Sequence, residues 1–212
     1  MELSKSFAAE FLAYARERLL TPKILTLGGA VAACATVASR AQHPELTAPL
    51  AFVLVWQFRL WDDLEDLGFD RVYHPERLLV RSAALRAFAA TAAASMLAVG
   101  ATLALAAGAG RALAYAVLVA LFAAGYRLFR EAPHRRLLRA HWVLAKYPAL
   151  VFLAAWQPVS GRAAAVAALL YLMLCLIEIA DDPGMRDMRE ARALAVAEGI
   201  AIAGIIVYGV LL

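Results

Sequence analysis

Apolar runs close to twenty residues long recur along the whole chain, separated by short segments that hold nearly all of its charge. A run of that length crosses the hydrocarbon core of a bilayer as a helix, because only a helix satisfies its own backbone polar groups there. The runs lie near residues 22–40, 45–61, 83–107, 111–128, 140–157, 162–181 and 193–212. Seven spans use most of the 212 residues and leave no length for a separate soluble domain. The apolar share of 64% is well above the about 45–50% usual for soluble domains, in keeping with that reading. The expected architecture is therefore all-α, a polytopic transmembrane helical bundle forming one domain over 1–212.

Residues 1–21 break the pattern. Glu2, Lys5, Glu10, Arg16, Glu17 and Arg18 interrupt any apolar core, so no cleavable signal peptide is expected. Phe7, Phe11, Tyr14 and Leu19 or Leu20 recur at about helical spacing, which predicts an amphipathic interfacial helix anchored by Arg16, Arg18 and Lys23. Cys34 and Cys175 lie within apolar runs, lack metal-ligand spacing, and are read as small packing residues.

With seven spans, 18 of the 21 Lys and Arg residues fall on the side of the N-terminus. Only Arg40, Arg111 and Arg162 fall on the other. The positive-inside rule then predicts an inner or cytoplasmic membrane protein with its N-terminus cytoplasmic and its C-terminus outside. The basic loops are short and interleaved with acids, which argues against nucleic acid as a partner.

Residues 56–82, WQFRLWDDLEDLGFDRVYHPERLLVRS, place Asp62, Asp63, Asp66 and Asp70 at the polar end of the second run. At helical spacing Asp63, Asp66 and Asp70 fall within an arc of about 60°. That much like charge at a membrane boundary is costly unless something positive sits among it. A solvated helix end is one solution; Mg²⁺ held by carboxylates and substrate phosphates is the other. The sixth run repeats the theme in LCLIEIADDPGMRDMREAR, where Glu178, Asp181 and Asp182 spread over about 100° of one face. Both acidic ends are expected at the same membrane depth.

Basic residues accompany both clusters: Arg71, His74, Arg77 and Arg81 after the first, and Arg127, Arg130, His134, Arg135, Arg136 and Arg139 between runs four and five. Metal-binding carboxylates beside guanidinium groups suit a diphosphate, although any one arginine can equally set topology or contact membrane lipids. Lys146 and Glu198 sit one to two turns inside runs five and seven. A Lys146–Glu198 pair, or Lys146 on a diphosphate, would satisfy them.

These residues resemble the UbiA superfamily of intramembrane prenyltransferases over about residues 20–195. Asp62 stands at the Asn position of the family's NDxxDxxxD motif, and Asp63, Asp66 and Asp70 match its three aspartates. Arg71, Pro75 and Arg77 follow in register. Glu178 and Asp181, with Asp182 adjacent, look like the DxxD-type second motif; Tyr126 to Arg130 resembles the Tyr…Lys/Arg stretch after helix four, and Thr21-Pro22-Lys23 the entry to helix one. Three departures stand out. The family has nine helices where this chain has room for about seven. Glu178 replaces an aspartate, with Asp187 the nearest match to a further acid. Asp62 replaces asparagine, so that DDLED also reads as the DDxxD of soluble isoprenoid synthases.

The resemblance implies Mg²⁺ held by Asp62, Asp63, Asp66, Asp70, Glu178, Asp181 and Asp182, with Asp63, Asp66, Asp70 and Asp181 catalytic. It implies a substrate diphosphate bound by Arg71, Arg77, Tyr126, Arg130 and Lys146. Ionisation of an isoprenyl diphosphate to an allylic cation would precede transfer to an aromatic or other lipophilic acceptor. Phe58, Trp61, Phe122, Tyr126, Trp142 and Tyr147 are candidates to line the cavity and stabilise the cation. Two alternatives remain: a terpene cyclase that ionises the same substrate without an acceptor, and a non-catalytic cation-binding membrane protein. A CDP-alcohol phosphotransferase would need a DGxxAR element, which the sequence lacks.

Overall fold

The computed structural model describes residues 6–40, 44–130, 136–155 and 160–211, and all its regular elements are helical. In chain order they are α1 (Phe7–Tyr14, continued by a wider π-helical turn Ala15–Leu19), α2 (Pro22–Ala38), α3 (Pro44–Glu65), α4 (Leu67–Tyr73), α5 (Leu78–Arg81) and α6 (Leu85–Ala107). There follow α7 (Ala109–Arg130), α8 (Arg136–Leu144), α9 (Lys146–Ala154), α10 (Gly161–Asp181), α11 (Pro183–Arg186) and α12 (Arg189–Leu211).

Among the described residues, five stretches are long and apolar enough to cross a membrane: Leu85–Ala107, Ala109–Phe129, Arg136–Ala154, Gly161–Asp181 and Arg189–Gly209. A sixth arises if Phe7–Leu19 and Pro22–Ala38 count as one span bent by 72°. This is fewer than the seven expected. α3 is long enough, but Gln57, Arg59, Asp62 and Asp63 dilute its apolar character, and α2 qualifies only with the segment before it. The long helices leave apolar side chains outward, with Leu105 90% and Leu97 76% exposed on α6. Water would penalise such faces and lipid would not.

The chain divides into two compact units, 1–29 with 52–112 and 30–51 with 113–212. In the first, Tyr14, Leu60, Leu79 and Phe88 form a buried core. Phe88 stacks on Phe11 at 5.9 Å and meets Tyr14 edge-on at 5.4 Å between ring centres. The predicted amphipathic N-terminal helix is thus packed through its aromatic face. Gly28 admits α3, since a Cβ there would fall on the Phe52 ring. Gly108 takes φ of +87°, which glycine adopts without penalty, and separates α6 from α7.

In the second unit α8, α9, α10 and α12 pack together. Ile179, Met185 and Ala191 form a small core at the turn from α10 to α12. Gly125 on α7 lies flat against the Trp142 indole, leaving no room for a side chain. The expected run 140–157 is broken at Ala145, so α8 and α9 are separate helices.

Candidate functional site

The acidic segment is not one continuous helix. α3 ends at Glu65, Asp66 forms a turn with φ −84° and ψ 0°, and α4 resumes at Leu67. Backbone bonds from Asp66 N to the Asp62 carbonyl and from Asp70 N to the Asp66 carbonyl keep the pitch nearly helical, each 2.9 Å. Asp62, Asp63 and Asp70 are therefore still buried, while Asp66 is half-buried. α4 ends at Tyr73, with His74 as its C-cap immediately before Pro75, which disfavours helical backbone at the residue preceding it.

Buried carboxylates need partners, and here the partners are guanidinium groups. Arg18 grips Asp63 with both prongs, Nε donating to Oδ2 at 3.0 Å and an Nη to Oδ1 at 2.6 Å. Arg59, one turn earlier on α3, reaches Oδ1 at 2.9 Å. The Tyr14 hydroxyl donates to Oδ2 at 2.9 Å. Asp70 is held by Arg77 at 2.5 Å. Burial pushes the Asp63 carboxyl up to about 6, against the opposing pull of Arg59 and the Tyr14 hydroxyl. Asp62 and Asp66 have interactions of their own.

A cavity of about 10 Å³ lies among Tyr14, Arg18, Asp63, Asp70 and Arg77. That is space for about one water-sized occupant. In the same unit a much larger, almost wholly apolar cavity, about 250 Å³, is bordered by Phe11, Leu19, Val53, Trp56, Leu60 and Thr91. Leu60 is three residues before Asp63 on α3, so the apolar cavity opens next to the ionic network. The Trp56 indole nitrogen is buried there with no hydrogen-bond partner among the described residues.

The expected site residues are distributed unevenly. Arg77 joins the acids, but Arg71 is exposed. Tyr126 is buried near Phe122 in the second unit, and the side chain of Arg130 lies outside the described residues, as do His134 and Arg135. Lys146 is fully buried, with its ammonium 5.3 Å from the Tyr147 ring centre. Glu198 pairs with His141 at 2.9 Å, so the considered Lys146–Glu198 pair is not formed. Of the six cavity aromatics, Phe58 and Trp61 pack on each other, and Phe122, Tyr126 and Trp142 cluster in the second unit. None of the six lines the large cavity, where Phe11 and Trp56 stand instead.

The second acidic segment has a different character. Asp181 is exposed and Glu178 half-buried. Asp182 caps α11 by accepting from Gly184 N at 2.8 Å and pairs with Arg136 at 2.6 Å. Asp187 is exposed, 4.0 Å from Arg192.

Sequence reasoning gave Tyr14 and Arg18 a membrane-anchoring role and assigned none to Arg59. The i,i+4 spacing of Arg59 and Asp63 was the one readable signal. As donors, the carboxylate oxygens of Asp62 and Asp66 suit a hard cation such as Mg²⁺. Asp63 and Asp70 can serve only by exchanging their guanidinium partners. No family model, curated protein or solved structure matches this chain.

Proposed function

We propose that this is a membrane enzyme transferring a prenyl group from an isoprenyl diphosphate to an aromatic or other lipophilic acceptor. The observation that carries the reading is an apolar cavity of about 250 Å³ beside a buried carboxylate–guanidinium network on the same helix. The volume approaches the about 300 Å³ at the small end of ligand pockets and suits a short isoprenoid. Arg18, Arg59 and Arg77 supply charge and donors for diphosphate oxygens.

On this reading the arriving diphosphate exchanges partners within the network. Its oxygens would take the guanidinium groups, and Asp63 and Asp70, once freed, together with Asp62 and Asp66 on exchange of their own partners, would hold Mg²⁺. Bound there, Mg²⁺ would withdraw electron density from the leaving diphosphate. The allylic C–O bond breaks, the electron pair leaves with diphosphate, and the cation is shielded from water by apolar walls. Glu178, Asp181 and Asp182 enter by the UbiA resemblance as a second set of carboxylates. Terpene cyclisation is the alternative fate of the cation. A non-catalytic, cation-binding membrane protein is the second alternative; the partners already filling both oxygens of Asp63 favour the absence of catalysis, and a cation would have to displace them.

Purified protein incubated with Mg²⁺ and a panel of prenyl diphosphates, with and without membrane extract, tests all three. Acceptor-dependent pyrophosphate release supports transfer. Hydrocarbon or terpene alcohol without acceptor means a cyclase. No turnover in any combination overturns the enzyme reading. The proposed orientation is tested separately: single cysteines near Arg40 and Arg111 should label from outside the cell, and one near His134 should not.

A further inference from the structure

Three helices of the second unit bring an imidazole, a thiol and a carboxylate together in a buried place that the diphosphate reading does not use. His141 comes from α8, Cys175 from α10 and Glu198 from α12. Their ligand atoms all lie within 4.8 Å of one another. Cys175 is fully buried and Glu198 5% exposed.

The hydrogen bonding at His141 requires an additional positive charge. Nδ1 is 2.9 Å from the Leu137 carbonyl oxygen, which only accepts, so Nδ1 carries the hydrogen. Nε2 then points a lone pair at Glu198 Oε1, 2.9 Å away. Two acceptors at that distance need a proton or a metal ion between or beside them. The other carboxylate oxygen, Glu198 Oε2, is buried with no hydrogen-bond partner among the described residues. A carboxylate oxygen left so in an apolar surrounding is costly. A backbone carbonyl fixing Nδ1–H is also the usual way a protein orients a histidine whose Nε2 binds metal. Tyr171, one turn before Cys175, donates to the His141 carbonyl at 3.4 Å and packs edge-on to its ring.

We propose that His141 Nε2, the Cys175 thiolate and the Glu198 carboxylate bind a borderline-soft divalent cation of the zinc class, leaving one position open. Mixed nitrogen, sulfur and oxygen ligands select that class over Mg²⁺ or Ca²⁺. Ligand separations within 4.8 Å close around a tetrahedral ion by small side-chain adjustments. The charges balance: a thiolate and a carboxylate neutralise a dication, so no net charge is buried among apolar helices. Binding releases the thiol proton and the proton shared by His141 and Glu198. The ion fastens α8 to α10 and α12, and α8 also carries Arg136 to Asp182. Its role is that of a clamp between helices, separate from the carboxylate–guanidinium network of the first unit.

Cobalt provides the test, because a thiolate ligand gives Co²⁺ an ultraviolet charge-transfer band and tetrahedral geometry gives intense visible bands. The full-length protein, carrying Cys34→Ser so that Cys175 is its only thiol, is purified in detergent, reduced, stripped with chelator and titrated with Co²⁺, then Zn²⁺. One Co²⁺ per chain should bind with both sets of bands, and Zn²⁺ should displace it. Cys175→Ala should abolish the charge-transfer band, and Glu198→Gln should weaken binding at least about tenfold. Thermal unfolding of the Cys34→Ser protein should rise with Zn²⁺ and fall with chelator, a readout that does not depend on the variants folding. Absence of stoichiometric Co²⁺ binding, binding without the charge-transfer band, or unchanged affinity in Cys175→Ala would overturn the site. His141 and Glu198 would then be a protonated ion pair.

Discussion

Asp63 and Asp181 occupy equivalent places in the sequence, each a carboxylate at the polar end of an apolar helix with a second acid beside it. The structure gives them different surroundings. Asp63 is buried and shares its oxygens among Tyr14, Arg18 and Arg59, whereas Asp181 is exposed where α10 ends. Burial makes the first cluster depend on its arginines, since a desolvated carboxylate is tolerated only when paired. Solvent relieves the second of that requirement. An acidic helix end is thus an ambiguous signal by itself, and the arginines that reach back to it decide its electrostatic state. The contrast predicts that the first cluster couples catalysis to stability and the second does not.

The largest effect should separate those two properties. On the proposed prenyl-diphosphate reading, Asp66→Asn and Asp63→Asn should each lower Mg²⁺-dependent pyrophosphate release at least about a hundredfold, since loss of a metal ligand would cost more than loss of the outer-shell groups that cost 10–100-fold. Asp181→Ala should lower release comparably, while its unfolding midpoint stays within about 0.5 kcal/mol of wild type, as expected for an exposed side chain. The assay is pyrophosphate release at matched protein levels in the membrane. Equal release from wild type and Asp181→Ala would remove helix α10 from the proposed diphosphate chemistry. Undiminished release in Asp66→Asn would remove the first cluster as well.

A smaller effect tests the network itself. Tyr14→Phe deletes one hydroxyl and leaves the ring packing on Phe88, so its cost isolates the hydrogen bond to Asp63. A hydrogen bond to a charged group contributes roughly 1.5–3 kcal/mol, and Arg18 still fills the same oxygen, so a loss of about 1–2 kcal/mol is expected. Reversible unfolding in detergent measures it. Phe at this position with wild-type stability would mean that solvent already reaches Asp63.

The pH response follows from the same burial. The Asp63 carboxyl is raised from its ordinary 3.8 to about 6, so the folded protein holds that proton more tightly than the unfolded chain. Its favourable contribution is complete below pH 3.8 and is lost as pH rises through 6. Relative to Asp63→Asn, wild type should therefore lose stability between about pH 4 and 7 and level off above. A wild type that gains on the variant over that interval would show the guanidinium pairing outweighing burial.

Much of the helical framework was legible because apolar runs and their breakers are local. The runs expected at 83–107, 111–128 and 162–181 appear as Leu85–Ala107, Ala109–Arg130 and Gly161–Asp181. The break at Ala145 was not legible, since nothing in HWVLAKYPAL interrupts helical patterning before Pro148. Nor was the membrane count, because α3 mixes apolar residues with the charges of its own polar end. The acids of residues 62–70 were conspicuous, but the partners Tyr14 and Arg18 lie over forty residues away, and only the fold joins them to Asp63. The same holds for His141, Cys175 and Glu198: each taken alone reads as a helix residue, and their chemistry exists only after three helices pack.

The smallest expected effect sharpens the comparison from its other side. Arg136 and Asp182 are 2.6 Å apart, as close as Arg18 and Asp63, so distance alone would give the two pairs equal importance. Their exposure differs: the Arg136 side chain is 59% exposed against 20% for Arg18. Solvent screens the Arg136 charge and the arginine gives up side-chain entropy to hold one geometry, so exposed pairs contribute roughly 0.2–1 kcal/mol. Arg136→Ala should therefore destabilise the protein by less than about 1 kcal/mol, below the effect of Tyr14→Phe, and the difference should narrow further in high salt. Asp182 keeps its second task in the variant, because it still accepts from Gly184 N and caps α11. Unfolding of both single variants at low and high salt provides the measurement. A loss from Arg136→Ala exceeding that from Tyr14→Phe would mean that the α8–α10 contact, rather than the Asp63 network, is the electrostatically committed region of this protein.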